Sequence, residues 1–158
     1  MATAAHPIQI NFFPDRVLKK AESKMPERMT VIATSYANAV KKLMRDSPAT
    51  GRVYTRGGRT HQASAPGEPP APDSGNLLQS VQWRVRHNGL TWYAEVYSAL
   101  KYALFLEYGA ARGVRHKSGR NAGRLKSVQW VLFPRPAWGP ALDAIRPRLP
   151  GMLSGRTR

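Results

Sequence analysis

The chain is 158 residues long, enough for one domain with a sizeable core. Its 25 Lys and Arg against 9 Asp and Glu give a formal net charge of +16, so a polyanion or an acidic partner is expected to offset the self-repulsion. It has no Cys, which excludes disulfides, thiolate metal sites and cysteine nucleophiles, and it has no apolar run long enough to span a membrane.

Residues 1–14 read as an N-terminal arm, in which Ile8, Ile10, Phe12 and Phe13 suit a short edge strand or a docking segment. This stretch lacks the basic-then-apolar order of a signal peptide, so synthesis and residence in the cytoplasm are the default expectation. Pro14 and Asp15 mark a helix start. Over 15–46, Met25, Met29, Ile32, Tyr36, Val40 and Leu43 recur at intervals of three and four, and Ala33 and Met44 widen the same face. Lys41, Lys42 and Arg45 crowd the last turns, where cations suit the helix dipole. Pro26 predicts a break between a short first helix and a longer second one, and Pro48 ends the pattern.

Residues 48–73 read as one long extended loop, because their prolines remove backbone donors and disfavour helix. The Gly57-Gly58 pair reads as a hinge within it, not a phosphate cradle. Asp73 or Ser74 is placed to cap a short helix through Leu77 and Leu78. Residues 80–98 then alternate, with Val81, Trp83, Val85, Trp92, Ala94 and Val96 on one face, and Gln82, Arg84 and Arg86 on the other. Asn88-Gly89 supplies the turn, so this is a β-hairpin with one apolar face.

Residues 100–108 read as a buried helix of about two turns, ended by Gly109. The stretch 110–126 reads as a Gly-rich basic loop holding Arg112, Arg115, Lys117, Arg120, Arg124 and Lys126 with no acid. Such a loop suits phosphates without sequence readout, an acidic protein, or plain solvent. Lys126 to Phe133 reads as a strand, and Pro134-Arg135-Pro136 opens a last helix carrying Trp138, Leu142, Ile145 and Leu149. Residues 150–158 read as a flexible basic tail ending in Arg156 and Arg158, continuing the charge of Arg146 and Arg148. Helix, loop, hairpin, helix, strand and helix make an α+β domain over 15–149, a small, mostly antiparallel sheet with the N- and C-terminal helices packed on it.

Catalytic chemistry finds little purchase. His6, His61, His87 and His116 have no metal-ligand spacing, so no metal or cofactor is expected. His61 and Ser64 lack an orienting third group on a rigid scaffold. Glu107, among Phe105, Leu106 and Tyr108, reads as a structural carboxylate that pairs with an Arg or caps a backbone. Glu68 reads as fixing a loop or an interface. Trp83, Trp92, Trp130 and Trp138 suit a core or a subunit interface better than base stacking. The chain is therefore expected not to be an enzyme.

One set of motifs is distinctive. Ala63-Ser64-Ala65-Pro66-Gly67-Glu68-Pro69-Pro70, then Asp73-Ser74-Gly75-Asn76-Leu77, precedes Tyr102-Ala103-Leu104-Phe105-Leu106-Glu107-Tyr108-Gly109, Arg135-Pro136-Ala137-Trp138 and Pro140-Ala141-Leu142. In this order the motifs resemble the tail-component family of tailed phages, neck proteins that complete the tail or join it to the head. The resemblance covers residues 25–146, departing in a longer and more basic segment after Gly109 and in Trp138 where Phe is commoner. It implies a virion protein without enzymatic activity, assembled in the host cytoplasm as a ring around the DNA channel, a hexamer in preference to a dodecamer. Its partners would be copies of itself, other neck and tail proteins, and passing double-stranded DNA read without sequence specificity. Residues 62–73, with Ser64, Pro66, Gly67, Glu68, Pro69, Pro70 and Asp73, are candidates to lie across the neighbouring subunit, and Glu107, Gly109, Arg135 and Pro136 are assigned structural roles. The alternative is a DNA-binding accessory protein without sequence preference, worked by its basic loop.

Overall fold

The longest run of helical spacing forms a single helix, α1 (Pro14–Arg45), in a computed structural model that describes residues 14–155 apart from positions 90 and 116. The expected N-terminal arm, Pro14 excepted, and the terminal Arg156 and Arg158 lie outside the described residues. Pro26 does not divide the helix. It is exposed, so the backbone bond that its missing N–H forfeits lies on the solvent side, and the Thr30 hydroxyl donates to its carbonyl at 2.8 Å.

The buried stripe of α1 is Ala33, Ala37, Val40 and Met44, with Tyr36 and Leu43 half-buried beside it. Its axis is therefore displaced towards the two alanines, which the helical spacing alone puts at the margin or leaves out. Small side chains win this line because Ala37 meets Ala137 and Ala141 in one cluster with Val40, Met44 and Val81. Alanine on both sides lets α1 and the C-terminal helix α4 (Trp138–Ile145) approach closely.

The strands form three separate antiparallel hairpins, not one sheet: β1 (Val53–Arg56) with β2 (Arg59–Gln62), β3 (Val81–His87) with β4 (Trp92–Ser98), and β5 (Ala110–Arg115) with β6 (Leu125–Leu132). The class is α+β, with the middle hairpin and the C-terminal helices packed on α1. The helix α4 is seated chiefly on α1.

The middle hairpin keeps the expected faces. Trp83 pairs with Val96 and Val85 with Ala94 towards α1, while Arg84 opposite Glu95 stands outward. Arg84 and Arg86 both pair with Glu95, and the hydrogen bond from Arg84 leads the effects that hold its carboxyl below the usual range. His87 and Trp92 stack at 4.2 Å where the hairpin turns. The first hairpin occupies the stretch expected to be unbroken loop. Gly57 and Gly58 have φ of 57° and 76°, the two left-handed residues of a primed hairpin turn between Tyr54-Thr55 and Thr60-His61. Gly-Gly between β-prone residues carried that signal. The chain beyond residue 149 also departs from the expected tail. A 3-10 turn over Arg146–Arg148 leads into α5 (Leu149–Ser154), whose Met152 is buried and which packs on α1.

Candidate functional site

The Pro-rich segment is pinned to its own chain. Glu68 is the pin: its carboxylate accepts from the Ala65 N–H at 2.8 Å, the Thr50 N–H at 3.1 Å and the Thr50 hydroxyl. The Thr50 hydroxyl leads the bonds that hold its acidity on the strong side of an ordinary carboxyl. The Ser47 hydroxyl donates to the Pro69 carbonyl at 2.7 Å, and Pro70 is buried. Ser64, 3% exposed, gives its carbonyl to Arg135 Nε at 3.0 Å, and the Gly67 N–H donates to the Pro134 carbonyl at 2.8 Å. Segments with few donors of their own are held here by donors from elsewhere. Pro66, Gly67 and Asp73 keep exposed surface; Asp73 accepts from the Tyr54 hydroxyl at 3.4 Å. Gly75 takes the capping position of α2 (Asn76–Ser80), and of the two expected caps it is the Ser74 hydroxyl that accepts from the Asn76 N–H, at 3.4 Å.

The helix α3 (Lys101–Tyr108) forms where its apolar run predicts it, but it is not buried. Ala103 alone among its residues is fully covered, while Leu104 is 61% and Tyr108 75% exposed, with Phe105 and Tyr102 also open. A compact apolar run reads the same whether it faces its own core or another molecule, so the sequence could not separate the two. Two anchors hold α3 in place. The Arg135 N–H donates to the Leu106 carbonyl at 2.6 Å, satisfying an end carbonyl of the helix. Glu107 takes the start of α4: its carboxylate accepts from the N–H groups of Ala137 at 2.7 Å, Trp138 at 3.1 Å and Gly139 at 2.8 Å. That helix has no capping side chain of its own, so Glu107 supplies both the acceptor and the negative charge its N-terminus favours. Pro136 directly precedes this cap and is half-buried.

Beside this joint the Tyr36 hydroxyl donates to the Trp138 carbonyl at 3.0 Å. Burial, with the nearby Glu107 carboxylate adding to it, pushes the phenol up to about 12. Tyr36, Leu104, Phe105, Tyr108 and Trp138 line an open groove of about 710 Å³ along α3. Sequence reasoning assigns no partner to Tyr36, because the two residues that meet are 102 positions apart.

Gly109 turns the chain from α3 into β5 with φ of 77°, and a Cβ there would lie 2.8 Å from the Leu132 carbonyl oxygen. Beyond it the strands β5 and β6 form an arm. The segment expected as a basic loop over 110–126 is strand to Arg115 and strand again from Leu125, leaving a shorter turn between. The pair packs substantially on itself alone. Register shifts between Arg112 and Gly113 and between Val114 and Arg115 twist it. Arg112, Lys117, Arg120, Arg124 and Lys126 are exposed, and no ion pair involves them among the described residues. Arg115 lies at the end of β5, the strand that also carries Arg112. Val128, Trp130 and Val131 are exposed nearer the base, and so is Phe133 just past the strand.

Among the described residues no group of three or more His, Asp or Glu is placed to hold a metal ion, and no helix is long and apolar enough to cross a membrane. A second hollow of about 380 Å³, between the Pro-rich segment and α3, brings Tyr54, His61, Ser64, Asp73 and Arg135 to one wall. His61 stacks edge-on against Tyr54, and Ser64 is tied by its carbonyl to Arg135. No family model matches this chain, and no curated protein or solved structure matches it either.

Proposed function

We propose that this chain is a structural protein of a phage virion neck, which completes the tail or joins it to the head as an oligomeric ring around the DNA channel. The observation that carries the reading is the exposed apolar helix α3 set beside a projecting basic arm. Such a surface is built for contact with large partners, and an open apolar face of this size is costly unless another molecule covers it. The Ser-Ala-Pro-Gly-Glu-Pro-Pro motif at 64–70 and the elements after it, in the order of the tail-component family, support the same reading. A ring around DNA rewards positive charge that reads no sequence, which suits Arg112, Lys117, Arg120, Arg124 and Lys126. In this reading the work is assembly, with no reaction catalysed, and the site is the virion.

Native mass spectrometry of the purified chain, with negative-stain imaging, tests it. A closed ring is expected, a hexamer before a dodecamer. A chain that stays monomeric across the micromolar range would sink the reading. The second reading, a DNA-binding accessory protein, is favoured by one observation, the cluster of exposed cations on the arm. It predicts tight DNA binding by a monomer or dimer.

A further inference from the structure

One face of the first hairpin breaks an ordinary rule of strand pairing. Arg56 and Arg59 stand directly opposite each other across β1 and β2, on the face that Tyr54 and His61 share. The hydroxyls of Thr55 and Thr60, 3.3 Å apart, occupy the other face. Like charges directly opposite one another destabilise a strand pair, and a two-stranded hairpin is marginal to begin with. Nothing close in sequence offsets the two cations: residues 47–67 hold Arg52, Arg56 and Arg59 and no Asp or Glu. No ion pair involves either arginine among the described residues, and both are exposed. Two cations set against each other without a counter-charge suit an anion supplied from outside the chain.

That anion would be met in a hollow. The Tyr54, His61, Arg56 and Arg59 face forms one side of a space of about 400 Å³, and Asp73 and Ser74 stand on the other. Tyr54, His61 and Asp73 also line the hollow of about 380 Å³ between the Pro-rich segment and α3, to which Pro70, Leu77, Leu106 and Leu132 belong. Arg135 lines this second hollow too, but its guanidinium is given to the carbonyls of Ser64 and Phe133. The two hollows together make a trough with a cationic end and an apolar end.

This lining discriminates between anions. A nucleic-acid backbone brings closely spaced negative charge and oxygen acceptors; it has no donor for the Asp73 carboxylate and no apolar group for Leu106 and Leu132. An extended peptide brings carboxylates for the arginines, N–H groups for Asp73 and an apolar side chain for the far end. Each guanidinium is a planar fork of donors that matches a carboxylate.

We propose that the trough between the β1–β2 hairpin and residues 70–78 binds an extended, acidic segment of another protein, with a carboxylate between Arg56 and Arg59 and an apolar side chain against Leu106 and Leu132. This goes beyond the ring reading and does not depend on it, because a single chain presents the whole trough. The arm is left to DNA and the hairpin to protein.

Selection of short random peptides by ribosome display on the immobilised full chain tests the site. Enriched sequences are expected to carry Asp or Glu within a few positions of Leu, Phe or a similar side chain. In fluorescence anisotropy, synthetic copies of them should bind about 10-fold more weakly to Arg56→Gln and to Arg59→Gln, and not measurably to the double variant. Exchanging Lys117, Arg120 and Arg124 together for Gln should leave peptide affinity within about twofold, which separates the trough from general attraction to a basic protein. Relieved of repulsion, the double variant should melt no lower than the wild type. Enriched peptides without acidic residues, equal binding to the double variant, or a lower melting temperature would each overturn the proposal. Loss of DNA affinity in the double variant would assign the arginines to nucleic acid, and loss of self-assembly would assign them to a second copy; either overturns the proposal while the ring reading stands. A monomeric wild-type chain that binds the acidic peptides through Arg56 and Arg59 would sink the ring reading and uphold the trough.

Discussion

Glu107 reaches across 30 positions of sequence to hold three N–H groups at the start of α4. Its carboxylate does what an N-cap side chain ordinarily does, and it couples α3 to the core through α4, whose Ala141 and Ile145 are buried. Replacing Glu107 by Ala leaves those donors to water and removes a favourable charge from the helix end. The expected cost is about 2 kcal/mol, read as a lower urea midpoint with an unchanged slope, and Glu107→Gln should recover part of it. The residue type and its apolar neighbours marked Glu107 in the sequence as an acid with a structural task. Which backbone it would cap was not legible, because the partner lies on another element.

At the scale of elements, the hairpin β3–β4 and the arm β5–β6 have similar alternation, and Ser-Val-Gln-Trp even occurs in both, at 80–83 and 127–130. They differ in cover. Val81 of the first is buried in the cluster with α1 and Val128 of the second is exposed, while Trp83 and Trp130 are both open. Excising the outer arm, residues 113–127, and closing the strands with a short Gly-Ser turn should therefore leave the thermal midpoint of the dilute, unassembled protein within about 2 °C of the original. A large drop in differential scanning fluorimetry would mean that the arm supports the core after all. The helix α3 repeats the lesson: its length and its Gly109 stop were legible, but its exposure was not, because nothing in a run such as Leu104-Phe105-Leu106 says which elements stand opposite.

For the whole molecule the distribution of charge matters more than its total. The arm holds six cations and no acids, while acids of the body are used in pairs such as Arg84 and Arg86 with Glu95. Duplex DNA should bind with an affinity that falls as salt rises, with a log–log slope no steeper than about −5, and with no preference for sequence. Substituting Lys117, Arg120 and Arg124 together by Gln should flatten that slope by about 3, as measured by fluorescence anisotropy across a salt series. An unchanged slope would move the contact to another surface.

Local chemistry by itself determined most elements of this protein. The 3.6-residue spacing of α1, the two-residue alternation of β3 and β4, and the Gly stop after α3 are properties of neighbours in sequence, and so is the Pro-rich segment as something other than helix. Tertiary structure alone decided that Pro26 is spanned without a break, that Ala33 and Ala37 rather than the larger side chains beside them line the tightest packing, and that Glu68 and Arg135 tie the Pro-rich segment to its own chain. It also decided that α3 and the arm lie open. Burial depends on which surfaces meet, and an apolar residue has the same hydropathy whether the surface that meets it belongs to its own chain or to another.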